Sequence, residues 1–232
     1  MKVILLDKTE NPERKIAYCA RLCYSNKPPD KLKEKLKEDE INRMVQMIIE
    51  TNHHSVLEHV SFTFGIQNIS RNATHQLVRH RLASFSQQSL RYTEIKAGEN
   101  VYSNLDQDSI PDYIYSDKKL YDLYTKKLKS IEELSLKYYN ELLDNDIKPE
   151  DARNVLLTSV NTNIIFTMNC RTLFNFFKLR LCNKAQKEIK RMANQMFSIL
   201  AKEHPLVFNL KNCGPACYSE GKCKELQPCL KI

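Results

Sequence analysis

Arg79-His80-Arg81-Leu82-Ala83-Ser84-Phe85-Ser86-Gln87-Gln88-Ser89-Leu90-Arg91-Tyr92 holds three arginines, a histidine, three serines and two glutamines in fourteen residues. Working outward, no Asp or Glu occurs from His59 to Thr93, so these guanidinium groups have no carboxylate nearby in the sequence. A second acid-free tract, Ala152 to Lys187, adds Arg153, Arg171 and Arg180. The two tracts hold seven of the eleven arginines but only three of the twenty-five lysines. Lysine is a hydrated point charge, whereas the planar arginine fork matches phosphate or carboxylate in a bidentate way, so this segregation points to an anion pocket. The competing reading is that folding brings acids in from elsewhere to pair with these arginines.

The whole chain sets the bounds. With 232 residues, 42% of them hydrophobic, it suits one large domain or two intimate ones. A net charge of +8 favours anionic partners, whether nucleic acid, nucleotide cofactors or membranes. The opening Met1 to Asp7 is too short and too soon charged for a signal peptide, and no uncharged stretch has membrane length, so a cytoplasmic protein with free thiols and no membrane partner is expected. The only glycines are Gly65, Gly98, Gly214 and Gly221, so neither Gly-x-Gly-x-x-Gly nor a Walker-type loop can be written. Any nucleotide must then be held by side chains and helix N-termini.

Periodicity predicts a strand over Met1 to Leu6 and a helix from Pro12 to about Tyr24, with Ile16, Ala20, Cys23 and Tyr24 inward. A second helix is expected over Lys31 to Glu50, with a solvated charged start. His53, His54 and His59 crowd seven residues, but only Glu58 is at hand to orient them as metal ligands, so a structural turn is the reading of this segment taken by itself. Alternation of Val60, Phe62, Phe64 and Ile66 with polar residues marks a half-buried strand, and Ser70 is placed to cap a helix starting near Arg71. The opening stretch would then be the end of that helix and a loop. One long helical region spans Asp112 to Asn145, with a stripe from Leu120 through Tyr124, Leu128, Ile131, Leu134 and Tyr138 to Leu142 that reads as packing or a subunit contact. Pro149 starts a short helix carrying Arg153, Thr158 to Met168 is a strand, and Arg171 to Leu181 and Ala185 to Glu203 are helices. Arg171, Asn175 and Arg180 on so apolar a segment each call for a partner.

These residues resemble the flavin-dependent thymidylate synthases. Arg79-His80-Arg81, seven residues, then Ser89 matches the family signature. Further family positions fall in order: His53, Ser55 and Glu58-His59, then Gln76, Arg91-Tyr92, Arg153, Asn169-x-Arg171, Asn175 and Leu179-Arg180. The resemblance covers residues 1 to 205 as one domain and leaves 206 to 232 as a cysteine-bearing tail. It implies an α+β fold, an antiparallel or mixed sheet with packed helices, assembled as a homotetramer with sites where subunits meet. The implied activity converts dUMP to dTMP, with carbon from methylenetetrahydrofolate and hydride from NADPH through bound FAD. All four molecules are anions, in keeping with the charge.

Carried over by position, His53, Ser55, Arg79, His80, Arg81, Gln87, Asn169, Arg171 and Asn175 resemble the FAD contacts. Gln76, Gln87, Gln88, Ser89, Leu90, Arg91, Arg153 and Arg180 look like the dUMP site. Arg91 and Arg153 suit the phosphate, where charge-assisted bonds contribute about 1.5 to 3 kcal/mol each. Arg180 is the catalytic candidate, because a guanidinium against the uracil carbonyl and N3 favours the electron-rich base whose C5 must attack. Ser89, with no base and acid in place to activate it, reads as a positioning hydroxyl. His80, between two arginines, is disfavoured as a cation. Gln87 and Lys184 depart from residues common in the family.

A different class remains open, a nucleic-acid-binding module that pairs the arginine tracts with stacking by Tyr92, Phe85 or Phe176. No metal site is assigned, although Cys213, Cys217, Cys223 and Cys229 read either as free thiols in a mobile tail or as a loosely spaced zinc set.

Overall fold

The structure, a computed structural model, describes residues 1–32, 36–95, 101–102, 110–223 and 225–226. Its centre is a four-stranded sheet made of β1 (Lys2–Lys8), β2 (Ser61–Ser70), β3 (Ala83–Gln87) and β4 (Asn161–Asn169). The order is β1-β2-β4-β3 and each neighbouring pair is antiparallel, so the expected antiparallel or mixed sheet is an antiparallel one. The two central strands lie one in each acid-free tract. Phe62, Phe64 and Ile66 of β2 and Ile164, Phe166 and Met168 of β4 bury one face, the period-two alternation acting as expected. Phe64, Phe166 and Phe85 lie in register across three strands, with successive ring centroids 6.0 Å apart. On the opposite face Thr63 and Thr167 join hydroxyls at 2.9 Å.

Helices follow where capping allows them. α1 (Pro12–Cys23) turns Ile16, Ala17 and Ala20 inward, but Cys23 and Tyr24 are exposed, a correction that comes from the helix ending at its solvent edge. The expected second helix is two, α2 (Pro29–Leu32) and α3 (Glu38–Glu50). Lys37 adopts extended backbone between them and its N–H is capped by Glu40 at 3.1 Å; residues 33–35 of that expectation lie outside the described set. His54–His59 form a 3-10 turn.

β2 runs straight into α4 (Arg71–Leu77), and the Ser70 hydroxyl accepts the Ala73 N–H at 3.1 Å as the expected cap. The loop expected after α4 is instead edge strand β3, because Ala83 to Gln87 alternate Phe85 inward with Ser84 and Ser86 outward and pair along β4. The long helical region is interrupted. After α5 (Asp112–Tyr115), Asp117 accepts the N–H groups of Lys119 and Leu120 at 2.9 and 3.2 Å and restarts the chain as α6 (Lys118–Asp144). Along α6 Tyr139 is buried, whereas Ile131 and Tyr138 of the stripe are each 46% exposed and Leu123 beside it 56%, so this chain leaves most of the stripe uncovered.

α7 (Pro149–Ala152) leads through a 3-10 turn carrying Arg153 to β4, which enters α8 (Cys170–Arg180) with the Asn169 side chain accepting the Thr172 N–H at 2.8 Å. α9 (Lys187–Glu203) packs beside α8 and under β1. Packing does not stop at residue 205. Val207, Phe208 and Cys213 belong to the same core, with Phe208 edge-on to Phe62, Phe174 and Phe177, before α10 (Leu210–Cys213) and α11 (Ala216–Ser219). Gly98 and Cys229 lie outside the described residues. Among the described residues no helix is long and apolar enough to cross a membrane.

Candidate active site

Antiparallel pairing separates the candidate residues into two groups. Where β3 ends, the Gln88 N–H bonds the Asn163 carbonyl at 2.9 Å and its side chain accepts from Asn163 Nδ2 at 3.0 Å. Gln87 Nε2 donates to Thr74 Oγ1 at 3.2 Å, and Arg71 Nη2 donates to the Gln88 carbonyl at 2.9 Å. Ser89 Oγ accepts the Arg91 N–H at 3.2 Å, which closes a turn; among the described residues no histidine or carboxylate bonds that hydroxyl. Leu90 is buried beside Val101 and Val160.

Two arginines meet at one residue here. Arg91 Nε pairs with the Glu150 carboxylate at 3.0 Å, while Arg153 Nε donates to the Glu150 backbone carbonyl, also at 3.0 Å. Each guanidinium is oriented through Nε, and among the described residues no hydrogen bond occupies its Nη1/Nη2 edge, the edge that grips phosphate. Burial, and then the nearby Arg153, lower the Arg71 pKa, so a third cation stands beside them with a buried Nε that has no hydrogen-bond partner among the described residues. Arg71 and Glu150 were not singled out as site residues in the sequence. Arg71 was visible as an arginine of the acid-free tract, and Glu150 only as a carboxylate three residues before Arg153.

At the start of β3 lies the other group. Thr172 Oγ1 donates to the Leu82 carbonyl at 3.2 Å, which ties this end to the beginning of α8. Arg171 pairs with Glu58 at 2.5 Å, both about half exposed, and Ser55 and Asn175 are exposed nearby in the same elements. His53 Nδ1 lies 3.1 Å from the Tyr24 hydroxyl. Asn169 is committed to capping α8, and Arg79 and Arg81 project into solvent. β3 spans about 13 Å at the usual strand rise, so the two groups stand at opposite ends of one edge strand.

Just ahead of β3, Arg180 Nε donates to His80 Nε2 at 3.1 Å, a contact bridging a hundred positions of sequence. His80 is buried with its ring edge against Phe176, 5.0 Å between centroids, and burial followed by the Arg180 charge depresses its pKa to about 4. It is therefore neutral at pH 7, accepts from Arg180 and does not bond Ser89. Burial also lowers the Arg180 pKa, yet no carboxylate neutralises it among the described residues. Gln76 flanks this region, half-buried on α4.

Of the seven arginines in the acid-free tracts, Arg91 and Arg171 pair with acids delivered by folding, the competing expectation realised in part. A third imported acid, Glu188, is buried and accepts both the N–H and the hydroxyl of Ser70 at 2.8 and 2.5 Å. The stacking surface needed for nucleic acid shrinks to Tyr92, which is 81% exposed, because Phe176 is fully buried and Phe85 packs on Phe166. Cys213 is in the core with its thiol pushed up to about 12 by burial, the wrong direction for a thiolate ligand. Among the described residues no three His, Cys, Asp or Glu groups converge to hold a metal.

The family profile described as thymidylate synthase complementing protein matches residues 4–206. The flavin-dependent thymidylate synthase of Geobacter sulfurreducens is 40% identical, over 97% of this chain and 91% of that protein. Its namesake from Pyrococcus furiosus is 38% identical over 100% and 94%. The crystal structure of the UMP/dUMP methylase PolB from Streptomyces cacaoi, bound with 5-Br dUMP, superposes with a TM-score of 0.75 over 94% of this chain and 96% of that one. At 24% identity this last likeness speaks for the fold.

Proposed function

The chain belongs to the flavin-dependent thymidylate synthases, and from that premise we propose that it methylates dUMP to dTMP, using methylenetetrahydrofolate for carbon and NADPH for reducing equivalents. The observation that carries this reading is the Arg180–His80 pair, a guanidinium oriented through Nε by a neutral, buried imidazole and left without a carboxylate among the described residues. A fork held that way can place its Nη groups against a uracil carbonyl and N3, where it stabilises negative charge on the ring and makes C5 nucleophilic. A carboxylate partner would cancel that field.

The other groups bind and orient. Arg91 and Arg153, aimed by Glu150, receive the nucleotide phosphate, with Arg71 adding charge from behind. Gln76, Gln87, Gln88, Ser89 and Leu90 form the adjoining wall for base and sugar. FAD held beside this wall would supply the redox chemistry that links NADPH to the transferred carbon. The residues present fit such a dianionic, amphipathic group: Arg79, Arg81 and Arg171 offer cations, Ser55, Asn175 and the Nδ2 group that the cap leaves to Asn169 offer polar contacts, His53 offers ring surface, and buried His80 acts from behind through Arg180. Gln87, uncharged, keeps the neighbourhood free of added negative charge.

Because the nucleotide and flavin groups lie at opposite ends of β3, a complete site is best made by juxtaposing ends from different copies. The uncovered stripe of α6 supplies a contact surface for the homotetramer, and cytoplasmic placement belongs to the same reading. An anaerobic assay for dTMP formation from dUMP, methylenetetrahydrofolate, NADPH and FAD, omitting each in turn, tests the proposal. Activity that survives removal of flavin, or no dTMP with all four present, overturns it.

A further inference from the structure

One cavity lies beside the flavin group without being accounted for by it. The solvent-facing side of α8 carries Arg171, Asn175, Lys178 and Leu179, and these, with Cys182 just past the helix end, line one wall of a cavity of about 270 Å³. Arg171 and Asn175 are the residues assigned above to FAD. The facing wall is Pro215, Ala216, Cys217, Glu220, Cys223 and Glu225, chain that lies beyond the family match ending at residue 206.

This facing segment is fixed in place. Phe208 and Cys213 anchor its base in the core, and Gly214 permits a close turn, since a Cβ there would sit 2.5 Å from the Leu210 carbonyl oxygen. The Ser219 hydroxyl donates to the Gly214 carbonyl at 3.0 Å. Across the gap Lys178 and Glu220 form an ion pair at 3.1 Å, with side chains only 26% and 30% exposed. His54 also lines the cavity, edge-on to Phe174, and its Nε2 is buried without a hydrogen-bond partner among the described residues. An unsatisfied buried ring nitrogen beside two cations marks a place where a polar ligand atom is gained at little cost. Burial first, then Lys178 and Arg171, depress the His54 pKa, so the ring is available in its neutral form.

We propose that Pro215–Cys223 is the second wall of the flavin pocket, latched to α8 by Lys178–Glu220, so that part of the bound dinucleotide lies between Arg171 and the thiols of Cys182, Cys217 and Cys223. The inference rests on the FAD reading above and extends it to a segment outside the family match. Lys178 becomes a further contact for the anionic part of the cofactor, and the segment a positioning element for it. A cavity of this size holds a portion of FAD rather than the whole.

The test is differential alkylation of the intact protein by iodoacetamide, with and without FAD, read residue by residue by mass spectrometry. With FAD at ten times its dissociation constant, labelling of Cys217 and Cys223 should slow by about tenfold. Cys23, exposed on α1, should label at an unchanged rate and serves as the internal control. Protein that carries stoichiometric flavin but labels Cys217 and Cys223 at the free rate overturns the wall while leaving the flavin reading intact. Protein that binds no flavin overturns the flavin reading itself and this proposal with it. Glu220→Gln provides the second arm. Releasing the latch should accelerate Cys217 labelling in the flavin-free protein and weaken FAD binding several-fold; unchanged FAD affinity and labelling in this variant count against the wall.

Discussion

At the scale of single residues the chemistry turns on how one guanidinium is held. Arg180 donates through Nε to His80 and keeps its planar Nη edge, a geometry that lysine cannot reproduce even though it keeps the charge. Arg180→Lys should therefore lower kcat by about 10²- to 10³-fold, the usual effect of losing a preorganised donor, while FAD affinity measured by flavin fluorescence changes little. Near-normal turnover in that variant removes Arg180 from the catalytic role. His80 makes a separate, pH-dependent prediction. Its pKa in the folded protein is about 4, below the ordinary 6.5, so between those values the unfolded chain takes up a proton that the folded chain refuses. The stability it contributes is complete above pH 6.5 and is lost as pH falls through about 4. His80→Gln, which keeps an acceptor for Arg180, should flatten that part of the curve of urea midpoint against pH. His54, shifted in the same direction, leaves its own component in both proteins, so the difference between the two curves isolates His80.

At the scale of elements the uncovered stripe of α6 bears on assembly. Leu123 and Ile131 are about half exposed in this chain, so replacing both by Glu should alter the stability of the separated subunit by no more than about 0.5 kcal/mol. The same pair of charges, buried in a subunit contact, should break the assembly into smaller species, as measured by light scattering during gel filtration; an unchanged mass moves the contact elsewhere. This helix also shows what could be read in advance. Its stripe was visible in the three- and four-residue spacing, but that spacing cannot tell a face covered by the chain itself from one waiting for another copy. β2 and β4 were legible because their buried faces alternate with period two, and Ser70 was legible as a cap because the following turn needs an acceptor. β3 was not. Ala-Ser-Phe-Ser-Gln offers one large apolar side chain, and what makes it a strand is the edge of β4, which no local pattern reveals. The same limit applied at the site. Arg91 and Arg153 could be assigned from the family match, whereas Glu150 as their common support and His80 as the partner of Arg180 are contacts across 59 and 100 positions of sequence.

At the scale of the whole molecule the placement of the two ligand groups decides how many chains make one site. The Arg91 and Arg153 pair sits beyond the end of β3, and Arg171 sits beside its beginning, about 13 Å away along an extended strand. If one chain supplied both groups to the same site, a defect in either group would disable that chain's site whatever surrounds it. If the groups of one site come from different chains, defects on opposite ends can be sorted onto subunits that do not need them. Arg153→Ala and Arg171→Ala should each be inactive when assembled separately. Mixed assemblies formed by unfolding and refolding the two together should recover about a quarter of the normal activity, since with random mixing half of the nucleotide ends and half of the flavin ends are intact and the pairing is independent. Recovery should follow exchange of subunits rather than simple addition of one finished assembly to the other. Mixed assemblies that stay inactive, with mixing verified by mass, place both groups of a site on one chain and remove the argument for a shared one.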